Sequence, residues 1–178
     1  HCGPRYTVCR SLPWARERTS SKPFVACAKC LKEAGRIGDR HGLSETNGCP
    51  RCGPHVTLLD AQGVPVADDP LSGALTAIKR GKIVAIKGPG GFHHVCDARN
   101  AAAVAALRAR RQGEQKPFAV MVANATSASR FVQLGVGEPG LLAMPERPII
   151  LLKKRACCDA ALPGVTTGLG WLGVMLPC

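Results

Sequence analysis

Four cysteines of the 178-residue chain stand in two C-x-x-C pairs, Cys27-Ala-Lys-Cys30 and Cys49-Pro-Arg-Cys52, with eighteen residues between the pairs. Each pair can form a knuckle that offers two thiolates, and four thiolates fill the tetrahedral shell of one Zn2+ with no position left for water or substrate. The expected role is structural, with no catalytic residue among the four. With ten cysteines in the chain a disulfide framework is the alternative. That arrangement belongs to oxidising compartments, and the sequence shows no secretory segment with an apolar core, so the chain reads as cytoplasmic.

A second group with chemical potential is Lys87-Gly88-Pro89-Gly90-Gly91-Phe92-His93-His94. A lysine at a strand end followed by glycines lets backbone N–H groups approach phosphate oxygens. The order of residues matches neither the Walker loop, which needs Lys after the glycines and then Ser or Thr, nor the dinucleotide G-x-G-x-x-G. Read alone, the segment is better explained as a tight strand-to-strand turn. His93 is the better candidate contact to an anion, whereas Cys96 in an apolar strand is expected to be a small core residue. Arg108, Arg110, Arg111 and Lys116 gather positive charge where a helix ends and a strand begins. An anionic partner and a solvated helix end favoured by the macrodipole both fit that pattern.

These residues need elements to hold them. Up to about Cys52 the sequence is basic and poor in aliphatic runs, and beyond Val56 short Val/Ile/Leu runs alternate with an Ala-rich stretch, as in a sheet with covering helices. Residues 11–24 and 63–70 read as polar, proline-containing linkers. Leu71, Leu75 and Ile78 fall at helical spacing before Gly81, and Ile83 to Ile86 reads as a buried strand. Asn100 to Arg111 reads as a helix with Val104 and Leu107 on one side. Residues 92–95, 118–122, 148–152 and 173–176 read as further strands, giving an α/β (α+β) domain behind a small four-cysteine zinc ribbon. The formal net charge of +12 fits an anionic partner, but a solvated basic face is the commoner explanation of scattered Arg and Lys, and charge alone decides nothing. Seven Phe, Trp and Tyr in all are too few and scattered for stacking single-stranded bases, and no apolar run has the length of a membrane span. An echo links Cys2-Gly-Pro-Arg-Tyr-Thr7 with Cys52-Gly-Pro-His-Val-Thr57, fifty residues on. Cys2 is accordingly read as the last ligand of a first zinc site whose other ligands lie upstream.

Taken in order, H-C-G-P-R-Y-T, the paired C-x-x-C knuckles ending in C-P-R-C-G-P-H, K-G-P-G-G-F-H-H-V-C-D-A-R-N, L-R-A-R-R-Q-G-E-Q-K-P-F-A-V-M, R-P-I-I-L-L and L-G-V-M-L-P resemble the HypF-type carbamoyltransferases of nickel–iron hydrogenase maturation. The resemblance implies a remnant of a first zinc ribbon and linker at 1–24, a four-cysteine zinc finger at 25–60 and a YrdC/Sua5-like twisted-sheet domain at 68–178, truncated at its C-terminus. It further implies that carbamoyl phosphate and ATP, the latter with Mg2+, are the substrates. A carbamoyl adenylate forms and its carbamoyl group passes to a cysteine of a HypE-type partner, as precursor of the cyanide ligands. Lys87, Gly90, Gly91, His93, Arg108, Arg110, Arg111 and Lys116 are the residues expected to bind substrate and nucleotide.

The basic stretch departs from the family's R-x-R-K-x-R-P-x-K-P: Arg111 replaces Lys, and Gly113-Glu114 replace Arg-Pro, which should weaken phosphate binding. Two other readings compete with an enzyme segment. One is a YrdC-like module binding double-stranded RNA or a nucleotide, whose RNA affinity would fall steeply with salt. The other is an inactive truncated remnant.

Overall fold

The computed structural model describes residues 8–38, 42, 44–66, 68–88, 91–111, 116–144 and 146–177. They fall into two compact units, one of residues up to Gly73 together with Lys87–His93, the other of Ala74–Ile86 and His94–Cys178. Cys2 and Gly90 lie outside the described residues, as does the Gly113-Glu114 departure.

In the first unit, α1 (Ala28–Ala34) starts at Cys27, which occupies the N-cap, and ends on Gly35. This helix is not apparent from periodicity, because Cys30 alone among its residues is buried. The stretch read as a linker, residues 11–24, is built into the unit instead. Arg16–Arg18 forms a 3-10 turn, Cys9 and Thr19 form an antiparallel bridge, and Thr19 is fully buried. Its Oγ1 donates to the Arg16 carbonyl at 2.8 Å and accepts from the Ser21 N–H at 3.1 Å. Among the described residues of this unit, Cys30 is the only apolar side chain that is buried.

α2 (Pro70–Lys79) is capped by Asp69, whose carboxylate accepts from the backbone of Leu71 and Ser72 and from the Ser72 hydroxyl. Those hydrogen bonds, the Ser72 side chain foremost, hold the Asp69 carboxyl below its ordinary range. The helix ends at Gly81, with φ +77°, as its sequence position suggests. β1 (Val84–Gly88) pairs with β2 (Gly91–Val95). The expected buried strand at 83–86 is buried only at Val84, with Ile86 exposed, because a two-stranded sheet shields few of its side chains.

α3 (Ala101–Ala109) is capped by Asn100, whose side-chain oxygen accepts from Ala103 N–H at 3.0 Å. Ala103, Val104 and Leu107 form its buried stripe, at the expected spacing. β3 (Ala119–Met121), α4 (Ala125–Ala128), α5 (Glu138–Leu142), β4 (Ile150–Lys153), α6 (Cys158–Ala161) and β5 (Trp171–Met175) complete the unit. The sheet order is β3-β5-β4, with β3 parallel and β4 antiparallel to β5. Register places Val120 and Ile150 on either side of Val174, and Leu152 beside Leu172. This face joins Val104, Ala128, Leu142, Cys158 and Leu162 in one core, whereas Met121, Leu151 and Trp171 lie exposed on the other face. Among the described residues no helix is long and apolar enough to cross a membrane.

Candidate functional site

The four cysteines of the paired knuckles converge. Their sulfurs all lie within 4.8 Å of one another, at 3.8 Å for Cys27 to Cys49, 3.7 Å for Cys49 to Cys52 and 3.6 Å for Cys30 to Cys52. Zn–S bonds of about 2.3 Å at tetrahedral angles require sulfur separations of about 3.8 Å, so these residues fit a structural zinc ion. One pair comes from the first turn of α1 and the other from a turn in which Cys52 and Gly53 N–H groups donate to the Cys49 carbonyl at 3.1 and 2.8 Å. Gly53 suits this turn, since a Cβ would stand a tight 3.1 Å from that carbonyl oxygen and push it by a few tenths of an ångström.

The thiols differ in readiness to ionise. Backbone hydrogen bonds from Cys49 and Cys27 bring Cys52 down to about 6, and those from Arg51 and Cys52 lower Cys49. Burial, with the neighbouring thiols, pushes Cys30 up to about 12. A cation reverses that order by binding all four as thiolates, so affinity for zinc falls as pH is lowered and protons compete for sulfur.

The residues expected to contact an anion divide between the units. In the first, the Lys87 ammonium sits 5.0 Å from the centroid of the Phe92 ring, and a Cβ on Gly88 would stand 3.7 Å from the His93 ring. The histidine ring therefore lies within van der Waals reach of the strand end that carries Lys87. Gly91 has φ +127°, a conformation that glycine adopts without the strain of a Cβ. Phe92, His93 and His94 are all exposed.

In the second unit the C-terminal end of α3 is organised by Arg108. Its Nη2 donates to the carbonyls of Gly164 and Val165 at 2.7 and 3.0 Å, and Nη1 to that of Lys116 at 3.2 Å. Its guanidinium also lies over the Phe118 ring at 4.5 Å, and that of Arg111 lies over the same ring at 5.2 Å. Arg108 thus ties the helix end to two other segments, while Arg110 is exposed beyond it. Phe118 was not among the expected site residues. Its signal is an aromatic residue next to Pro117 beyond an Arg-rich helix end, too general to single out from sequence.

Cys96 packs against the core and burial raises its thiol, which suits a core residue better than a nucleophile. The second cation held inside this unit is Lys154, whose Nζ contacts the Asp159 carboxylate at 2.6 Å and the Thr166 carbonyl at 3.2 Å. Together Arg108 and Lys154 take three successive carbonyls, 164 to 166.

The chain is similar to known proteins in both of its parts. A family model described as "Telomere recombination" (Sua5_yciO_yrdC) matches residues 76–178, and one described as "HypF finger" matches residues 26–59. Carbamoyltransferase HypF2 of Cupriavidus necator is 54% identical over 177 residues, which is 99% of this chain and 22% of that protein. The crystal structure of T. kodakarensis HypF superposes with a TM-score of 0.88 at 41% identity, covering 99% of this chain and 23% of that one. A crystal structure of full-length HypF in the phosphate- and nucleotide-bound form superposes with a TM-score of 0.84 at 38% identity, with the same coverage.

Proposed function

The chain belongs to the Sua5/YciO/YrdC family, with a HypF-type four-cysteine finger ahead of that domain, and is homologous to carbamoyltransferases of whose length it spans less than a quarter; from this we propose that it is the nucleotide-handling segment of a hydrogenase-maturation carbamoyltransferase. On this reading carbamoyl phosphate and Mg–ATP are the substrates, and a HypE-type protein receives the carbamoyl group on a cysteine. The setting is cytoplasmic, where free thiols and a thiolate-bound zinc persist. The domain limits 1–24, 25–60 and 68–178, with Cys2 closing a first zinc site, are part of the same proposal.

The observation that carries it is the superposition, over nearly the whole chain, on a HypF structure described as phosphate- and nucleotide-bound. The chain's own residues suit that task. Carbamate attack on the α-phosphorus, with pyrophosphate leaving, gathers negative charge that fixed cations stabilise. Lys87 in β1 and His93 in β2, with the backbone of Gly91 and of Gly90, which precedes it in sequence, supply donors, as do Arg110, Arg111 and Lys116 beyond α3. Arg108 belongs to the same set, but its hydrogen bonds to carbonyls make it the residue that orients the helix end. No residue is assigned to covalent catalysis.

Titration of Mg–ATP into the zinc-loaded chain tests this. Saturable binding is expected, weakened roughly tenfold or more by Arg111→Ala and by Lys87→Ala, the scale of one lost charge-assisted hydrogen bond. No binding by the parent chain, or parental affinity in both variants, would count against the proposal.

A further inference from the structure

We infer that Arg16 is a positioning residue for the four-thiolate site, acting through Asn47 on Cys30, so that the segment upstream of the finger supports the metal. The guanidinium of Arg16 donates through Nε and Nη2 to the Phe24 carbonyl at 3.0 and 2.6 Å, and through Nη1 to the carbonyls of Glu45 and Asn47 at 3.1 and 2.9 Å. Its backbone N–H donates to the Glu45 carboxylate at 2.9 Å. Asn47 is only 7% exposed, and its Nδ2 donates to the carbonyl of Cys30, the ligand buried to 1% exposure. A continuous path of hydrogen bonds therefore runs from the 3-10 turn at Arg16–Arg18, through the approach to the second knuckle, to a ligand of the first.

Hydrogen bonds matter here because the described residues of this unit offer little apolar packing. Cys30 is the only buried apolar side chain among the described residues of this unit, and a cavity of about 180 Å³ lined by Arg16, Cys30, Leu31 and Asn47 lies beside it. With no packed apolar core among the described residues to hold the knuckles, polar partners of the ligand-bearing backbone set the sulfur spacing. Such partners outside the ligand set typically change metal affinity 10- to 100-fold when removed. An arginine suits the task, since its planar fork reaches three carbonyls at once and a lysine ammonium does not.

The test is zinc affinity by competition with a chromophoric chelator, together with the absorption spectrum of the Co2+-loaded chain, in Arg16→Met, Arg16→Lys, Asn47→Ala and the Arg16→Met/Asn47→Ala pair. Expected are a loss of affinity of roughly 10- to 100-fold and an altered Co2+ spectrum for Arg16→Met, with Arg16→Lys between it and the parent. The double variant should be no worse than the weaker single one, because both break the same path. Parental affinity and spectrum in Arg16→Met, or effects that add independently, would overturn the inference. Should Arg16→Met not fold, Asn47→Ala decides the matter, since it keeps the backbone carbonyl that Arg16 holds. Parental zinc affinity in that variant then overturns the inference.

Discussion

At the scale of single residues, arginines of one charge do different work. Arg108 spends its guanidinium on the carbonyls of Lys116, Gly164 and Val165 and on the face of Phe118, whereas Arg110 stands exposed on the same helix end. Removing Arg108 takes a donor from the carbonyls of Lys116, Gly164 and Val165, although the Phe118 N–H still donates to that of Val165 and Arg111 still lies over the Phe118 ring. Arg108→Ala should therefore lower unfolding free energy by about 2 kcal/mol in thermal or urea melts, with Arg110→Ala within about 0.5 kcal/mol of the parent. Equal, small effects for both would show that the Arg108 contacts contribute little. From sequence the two arginines are indistinguishable, since charge and position at a helix end are all it offers. The cysteines are the opposite case. A tetrahedral ion needs four sulfurs about 3.8 Å apart, and the two C-x-x-C pairs show in the sequence alone which residues supply them. Arg16 stayed hidden because an arginine bonded to backbone carbonyls leaves no period or motif.

The elements that could be read from the sequence are those with an apolar stripe. α3 shows Val104 and Leu107 on one face and Asn100 at its start, and its observed limits fall inside the expected ones. α4, α5 and α6 are four or five residues long, too short for a period to emerge, and α1 is held by metal-ligand geometry more than by an apolar face. One junction joins two elements through a single close approach. Gly81 ends α2 with φ +77°, and a Cβ there would stand 2.7 Å from the Asn100 side-chain nitrogen that accompanies the α3 cap. Gly81→Ala should cost about 1 to 2 kcal/mol from the backbone alone and more if Asn100 is displaced from Ala103. A stability change below about 0.5 kcal/mol, measured by urea unfolding, would mean that both strains relax freely.

Across the whole molecule the two units rest on different physics. The second has a continuous core of Val, Leu and Ala side chains around its three-stranded sheet. The first has polar anchors and four thiolates, so metal binding should supply much of its folding free energy. Chelation should then abolish amide-exchange protection between residues 27 and 52 while leaving β3, β4 and β5 protected; protection of 27–52 that survives complete zinc removal would contradict this. The nucleotide reading is tested most directly by adding Mg–ATP and duplex RNA in competition to the zinc-loaded chain over a range of salt. The expected result is saturable ATP binding that excess RNA displaces weakly. Absence of ATP binding, with tight RNA binding that falls steeply as salt rises, would contradict it and favour a nucleic-acid module.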